Sequence, residues 1–148
     1  MTLVHQQVHV TDITLLREGH TPDDVDRIVT VCQEDVTDHI PTAVAYEWYQ
    51  MSDGPHSGYG GVHSYRLFEM AAASVLRALE AGETILVHCH VGKSRSVSVA
   101  AAAIAVHEGN YDVMKYMHRI KHLRENGDMP DESLVRYARR FAQERDER

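Results

Sequence analysis

The chain is predicted to form an α/β domain: a central, mostly parallel sheet of about four to five strands, flanked by helices on both sides. Three observations predict it. Short apolar runs suited to buried strands alternate with longer stretches of helical periodicity, the pattern of a parallel sheet with crossover helices. The segment 97–106 is apolar almost all round, as a helix buried in the middle of a domain is. The 148 residues suffice for one domain with a sizeable core, and 1–148 reads as a single unit without repeat, low-complexity tract or long linker.

The elements follow in order. Residues 8–13 alternate weakly and suit a short strand. Thr21 and Pro22 have the look of an N-cap and first turn, so 22–25 reads as a turn or short helix. Ile28, Val29 and Val31 mark a buried strand over 27–32, and alternation with aromatics marks another over 43–51. The glycines and Pro55 of 52–61 read as loop. Residues 62–80 form a helix with Leu67, Ala71, Ser74, Val75 and Ala78 along one stripe, stopped at Gly82. A strand over 84–88 precedes a loop. Helices then cover 96–107 (stopped by Gly109), 111–124 (ending near Gly127) and 131–145, the last introduced by Pro130.

Composition narrows the function. The formal net charge of −7 disfavours nonspecific binding to nucleic acid or anionic membranes. No apolar run approaches the roughly 20 residues of a membrane span, and the first residues lack the pattern of a secretory signal. Cys32 and Cys89 are the only cysteines, too few for a disulfide framework, so a reducing cytoplasm is the expected location. Lys93, Lys115 and Lys121 are the only lysines. An acidic, arginine-rich balance fits either a salt-rich cytoplasm or genomic composition bias.

The chemistry concentrates in His88-Cys89-His90-Val91-Gly92-Lys93-Ser94-Arg95-Ser96. A loop between a strand end and a helix start gathers backbone N–H groups into a concavity, and the helix dipole adds positive potential. A cysteine there is predisposed to act as thiolate, the nucleophilic form. An arginine can fork two hydrogen bonds onto a phosphate, and a cation at a helix N-terminus makes electrostatic sense when an anion joins it. Nucleophilic attack on a phosphate ester is the chemistry these residues suggest. A metal site at His88, Cys89 and His90 is disfavoured, because the residues are consecutive and no second cluster has ligand spacing. A nucleotide-binding reading of Gly92-Lys93-Ser94 fails because Val87 stands where that motif needs glycine. The remaining histidines are scattered and expected to face solvent.

His88-Cys89, five residues and Arg95-Ser96 resemble the His-Cys-x5-Arg-Ser/Thr pattern of the cysteine-based protein tyrosine phosphatases, and the short length resembles their dual-specificity branch. Ser52-Asp53-Gly54-Pro55 sits where that family carries its general-acid aspartate, and the segment 129–134 is similar to the proline-containing turn before its last helix. The likeness covers roughly residues 25 to 145. It implies Cys89 as nucleophile, Asp53 as general acid, and Arg95 with the loop N–H groups of His90, Val91, Gly92, Lys93 and Ser94 as the phosphate cradle. It also implies Ser96 as hydrogen-bond donor to the departing thiolate and His88 as a brace for the loop. Neither cofactor nor metal is implied. Asp35 and Asp38 are lesser candidates for the acid.

Several alternatives stay open. Cys32 is either a buried apolar cysteine or, as in several relatives, a redox partner that forms a disulfide with the nucleophile. The implied substrate is a phosphorylated protein or phosphopeptide carrying phosphotyrosine, with phosphoserine and phosphothreonine admitted by a shallow pocket. Lys93 beside His90 gives weak support to a phosphoinositide or other polyanionic substrate. A rhodanese-like sulfurtransferase and a phospho-binding module without turnover complete the alternatives.

Overall fold

The computed structural model describes residues 1–51, 65–91, 93–125 and 129–146. Strands β1 (Thr2–His5) and β2 (Val8–Asp12) lead into a short helix α1 (Ile13–Arg17). Then come β3 (Arg27–Thr30), one 3-10 turn (Thr37–His39), β4 (Ala45–Trp48), α2 (Tyr65–Glu80) and β5 (Ile85–Cys89). Three helices finish the chain: α3 (Arg95–Glu108), α4 (Val113–Arg124) and α5 (Glu132–Asp146). The sheet order is β1-β2-β5-β3-β4. β2, β5, β3 and β4 run parallel, and only β1 is antiparallel to its neighbour. The expected fold class is therefore the observed one.

β5 lies in the middle of the sheet, and all five of its residues are buried. A central parallel strand is covered on both faces, which explains its unbroken apolar run. Residues 95–105 of α3 are all buried, and α3 packs on α2, α4 and α5. Its alanines at 100–103 and 105 keep side chains short, so three helices can approach one axis. α2 and α3 both reach β5, and α1 packs on β2. Among the described residues, no helix is long and apolar enough to cross a membrane.

Element boundaries differ from the sequence expectation in instructive ways. β1 has no sequence signal of its own; it exists because the edge of β2 offers a ladder to pair with. α1 takes over at Ile13 because Asp12 caps it, its Oδ1 accepting from the Leu15 N–H at 2.8 Å. Residues 22–25 make a turn closed by Val25 N–H to the Pro22 carbonyl, not a helix. α4 begins at Val113 rather than Tyr111, because Asp112 caps it by accepting from the Lys115 N–H, and it ends at Arg124 as expected, with Glu125 left-handed (φ 57°). α2 begins, among the described residues, at Tyr65 and buries Phe68, Ala71, Ala72, Ser74, Val75, Ala78 and Leu79, with Leu67 only partly covered. His5 is buried rather than solvent-facing: it lies against the Glu108 carboxylate and packs edge-on to Tyr116.

Two polar devices lock the sheet. At its amino-terminal edge Arg27 donates from Nη1 to Glu47 at 2.7 Å and from Nε to Glu83 at 2.8 Å, joining β3 to β4 and to the turn before β5. At its carboxyl edge the fully buried His88 Nε2 meets Thr30 Oγ1 at 2.6 Å, across the β3–β5 pair. Burial pushes the His88 imidazole down to about 4, a desolvation that the Cys89 carbonyl and the Glu34 charge offset only in part.

Two outcomes follow from these features. Gly109 caps α3 at φ +76° with open space around it, so Gly109→Ala incurs only the backbone penalty of an L residue in that region. Its unfolding free energy should fall by about 1 kcal/mol, read from urea titration. His88 favours its neutral form in the folded state. The stability it contributes is complete above pH 6.5 and is lost as pH falls toward about 4. Between pH 7 and pH 4 the native chain should lose about 3 kcal/mol more than His88→Gln does. Parallel pH curves for the two proteins would contradict this.

Candidate active site

Cys89 is the last residue of β5, and Arg95 is the first of α3. The loop between them therefore sits where open parallel sheets bind ligands, outside the carboxyl ends of the strands. Its two anchors have physical causes. Upstream, His88 is clamped to Thr30 and its carbonyl accepts from the Val31 N–H at 3.0 Å. Downstream, α3 is held by burial on nearly every side. The carbonyl of His90 also accepts from the Ile13 N–H at 3.1 Å, which ties the loop to the start of α1.

The Cys89 side chain is buried, and its Sγ lies 3.1 Å from Ser96 Oγ. A hydroxyl at that distance can donate to a thiolate. The N-cap Ser94 makes no side-chain cap of α3. Its Oγ instead accepts from the Asp131 N–H at 2.9 Å, and its carbonyl accepts from the Ser98 hydroxyl at 2.7 Å. The first N–H groups of a long buried helix thus lack the usual side-chain partner at the mouth of the loop, which suits them to an anion. Cys89, Val91, Lys93, Ser94 and Arg95 line a hollow of about 180 Å³ there. Larger hollows of about 250 to 290 Å³ lie between α4 and α5 and around α2, but no cysteine lines them.

Arg95 is buried, and its Nη1 donates to the Met51 carbonyl at 2.9 Å. That bond fixes the guanidinium under the loop and ties it to the residue that opens the segment 52–64. Asp53 and Gly92 fall outside the described residues. Asp35, a lesser candidate for the acid, is exposed, and its Oδ1 accepts from Thr37 N–H, Thr37 hydroxyl and Tyr46 hydroxyl. Asp38 sits exposed on the 3-10 turn.

Cys32 follows β3, which pairs with β5 as expected, although β3 itself ends at Thr30. Both cysteines are buried thiols. Burial pushes the Cys32 thiol up to about 11, and its Sγ donates to the Glu34 carbonyl at 3.7 Å. The Trp48 indole N–H donates to the Cys32 carbonyl at 2.8 Å and steadies this turn.

Sequence reasoning missed three participants. Thr30 is the partner of His88, and the Met51 carbonyl is that of Arg95; neither carries a motif. Glu34 is the third: its Oε2 accepts from His90 Nδ1 at 2.6 Å. The rule that loops after parallel strands face the site pointed to this loop, but to Asp35 rather than to its neighbour. Among the described residues no group of three or more His, Cys, Asp or Glu side chains could hold a metal ion.

No family model matches the chain, and no curated protein matches it. Solved structures do. A structure of DUSP15 superposes with a TM-score of 0.74 at 16% identity, covering 99% of this chain and 90% of that one. Human DUSP28 gives 0.72 at 18% identity, with 97% and 96% covered. PTPMT1 in complex with PI(5)P gives 0.69 at 17% identity, with 96% and 94% covered. Over nearly its whole length, this chain has the fold of the dual-specificity branch of the cysteine-based phosphatases.

Proposed function

We propose that the protein is a phosphatase that hydrolyses phosphate monoesters on tyrosine, and on serine or threonine, of proteins. The observation that carries this reading is the Cys89–Ser96 loop: a buried thiol 3.1 Å from a hydroxyl, at the mouth of a buried helix and above a fixed arginine. In the proposed reaction the Cys89 thiolate attacks phosphorus and a P–S bond forms. The ester P–O bond breaks, and Asp53 gives its proton to the leaving oxygen. Water then attacks phosphorus, Asp53 takes its proton, and the P–S bond breaks to release phosphate. Ser96 donates to the thiolate as it leaves. Arg95 and the loop N–H groups hold the equatorial oxygens throughout, which is positioning plus electrostatic stabilisation. Asp53 is assigned because Ser52-Asp53-Gly54-Pro55 resembles the family's general-acid segment, and this segment follows Met51, whose carbonyl binds Arg95.

A second substrate reading, a phosphoinositide, draws on exposed Lys93 at the hollow and on the likeness to PTPMT1, a structure of which holds PI(5)P. As part of the main reading, Cys32 serves as resolving thiol. Peroxide oxidises the Cys89 thiolate to a sulfenic acid with release of water, and the Cys32 thiol condenses with it, losing a second water to form the disulfide.

An aryl phosphate assay tests the chemistry. The native chain should turn over without added metal, and Cys89→Ser should be inactive; residual activity in that variant would remove Cys89 as nucleophile. Asp53→Asn should lose about 10²-fold or more in kcat with KM little changed. Ser96→Ala should release a burst of aryl alcohol followed by slow turnover, since only the second step loses its donor. Peptide mapping of peroxide-treated protein without reductant should show a Cys32–Cys89 bond, and a persistent absence of that bond refutes the redox role.

A further inference from the structure

Glu34 stands at the rim of the cysteine loop, yet no step of the proposed reaction uses it. Its loop is wired in place on both sides. Trp48 holds the carbonyl of Cys32, and Asp35 is tied to Thr37 and Tyr46. A fixed backbone presents a carboxylate directly to His90, the residue after the nucleophile. The Glu34 side chain is one-third exposed, so it is open to an incoming molecule. Its field reaches His88 and Arg95 as well as His90. Burial alone would raise this carboxyl, but the hydrogen bond and charge of His90 outweigh it and hold the group below its ordinary value. The Glu34 carboxyl is therefore ionised beside the phosphate cradle at neutral pH, shared with His90 and partly open to solvent.

Two consequences follow. The Nδ1–H of His90 is committed to Glu34 Oε2, so His90 does not offer that donor to a second phosphate. The Glu34 carboxylate also accepts from its own backbone N–H, and with the side chain one-third exposed it keeps acceptor capacity open to solvent. The net charge of −7 acts in the same direction, repelling polyanions and drawing basic partners.

We infer that Glu34 is a specificity residue that selects phosphopeptides with an arginine or lysine next to the phosphorylated residue and disfavours substrates with a second phosphate close to the first. The cationic side chain would bind the exposed part of the Glu34 carboxylate while the phosphate occupies the Cys89 hollow. This rests on the phosphatase reading and names its substrate class.

The test compares kcat/KM for matched phosphotyrosine peptides flanked by arginine or by glutamate, together with a soluble phosphoinositide, at low salt. A single exposed charge pair supports about a fivefold preference for the basic peptide. Glu34→Gln should bring that ratio close to one, and Glu34→Lys should invert it; Glu34→Asp should retain part of it. Raising the salt should shrink the native preference. Because the readout is a ratio, a uniform loss of activity in a variant leaves it unaffected. An unchanged ratio in Glu34→Gln overturns the inference while the phosphatase reading stands, as does a phosphoinositide preferred over every peptide. If the native chain fails to turn over a generic aryl phosphate, the phosphatase reading falls and takes the inference with it.

Discussion

Burial of β5 along its whole length is the constraint on which the rest depends. A strand covered on both faces cannot slip its register without exposing apolar side chains or burying polar ones. That fixes where the strand ends, and it ends on Cys89. The sheet's neighbours reinforce the position: β2 aligns Asp12 with Cys89, and β3 aligns Thr30 with His88. The place of Cys89 is thus set by sheet packing more than by contacts of the loop itself. α3 repeats the logic on the far side, since burial of residues 95–105 fixes the helix start that faces the hollow.

Several polar groups buried near this centre are paired across different parts of the fold, while among the described residues Thr11 Oγ1 and Arg124 Nε find no hydrogen-bond partner. His88 meets Thr30 between two strands; Arg95 reaches the Met51 carbonyl past the end of β4. Arg124 reaches from α4 to the Val10 carbonyl at 2.6 Å and to Thr2 Oγ1 at 3.2 Å, tying a late helix to the first two strands. A buried polar group left without its partner costs far more than the pair contributes, so these bonds specify one arrangement of the elements. They also make the site a shared property of β2, β3, β5, α3 and α4.

What the sequence makes legible divides along physical lines. The buried strand and helix around Cys89 announce themselves because burial on all sides leaves a continuous apolar record. The order Cys89, Arg95, Ser96 is readable because its chemistry requires near neighbours in the chain. β1 and α1 are not readable: one depends on an edge supplied by β2, and the other on a cap at Asp12 over only five residues. Long-range partners leave no local trace either. Nothing near Glu34 in the chain foretells that 56 positions later a histidine will meet it. The positions of such residues follow from the strand order, which becomes visible only once the sheet is assembled.

Trp48 is the single tryptophan of the chain, and its ring is partly open to solvent while its N–H is held by the Cys32 carbonyl. That carbonyl belongs to the same turn that carries Glu34 to the rim of the hollow. The indole is thereby a native optical reporter. Its emission depends on how much water surrounds the ring, so rearrangement of the turn registers without any added label.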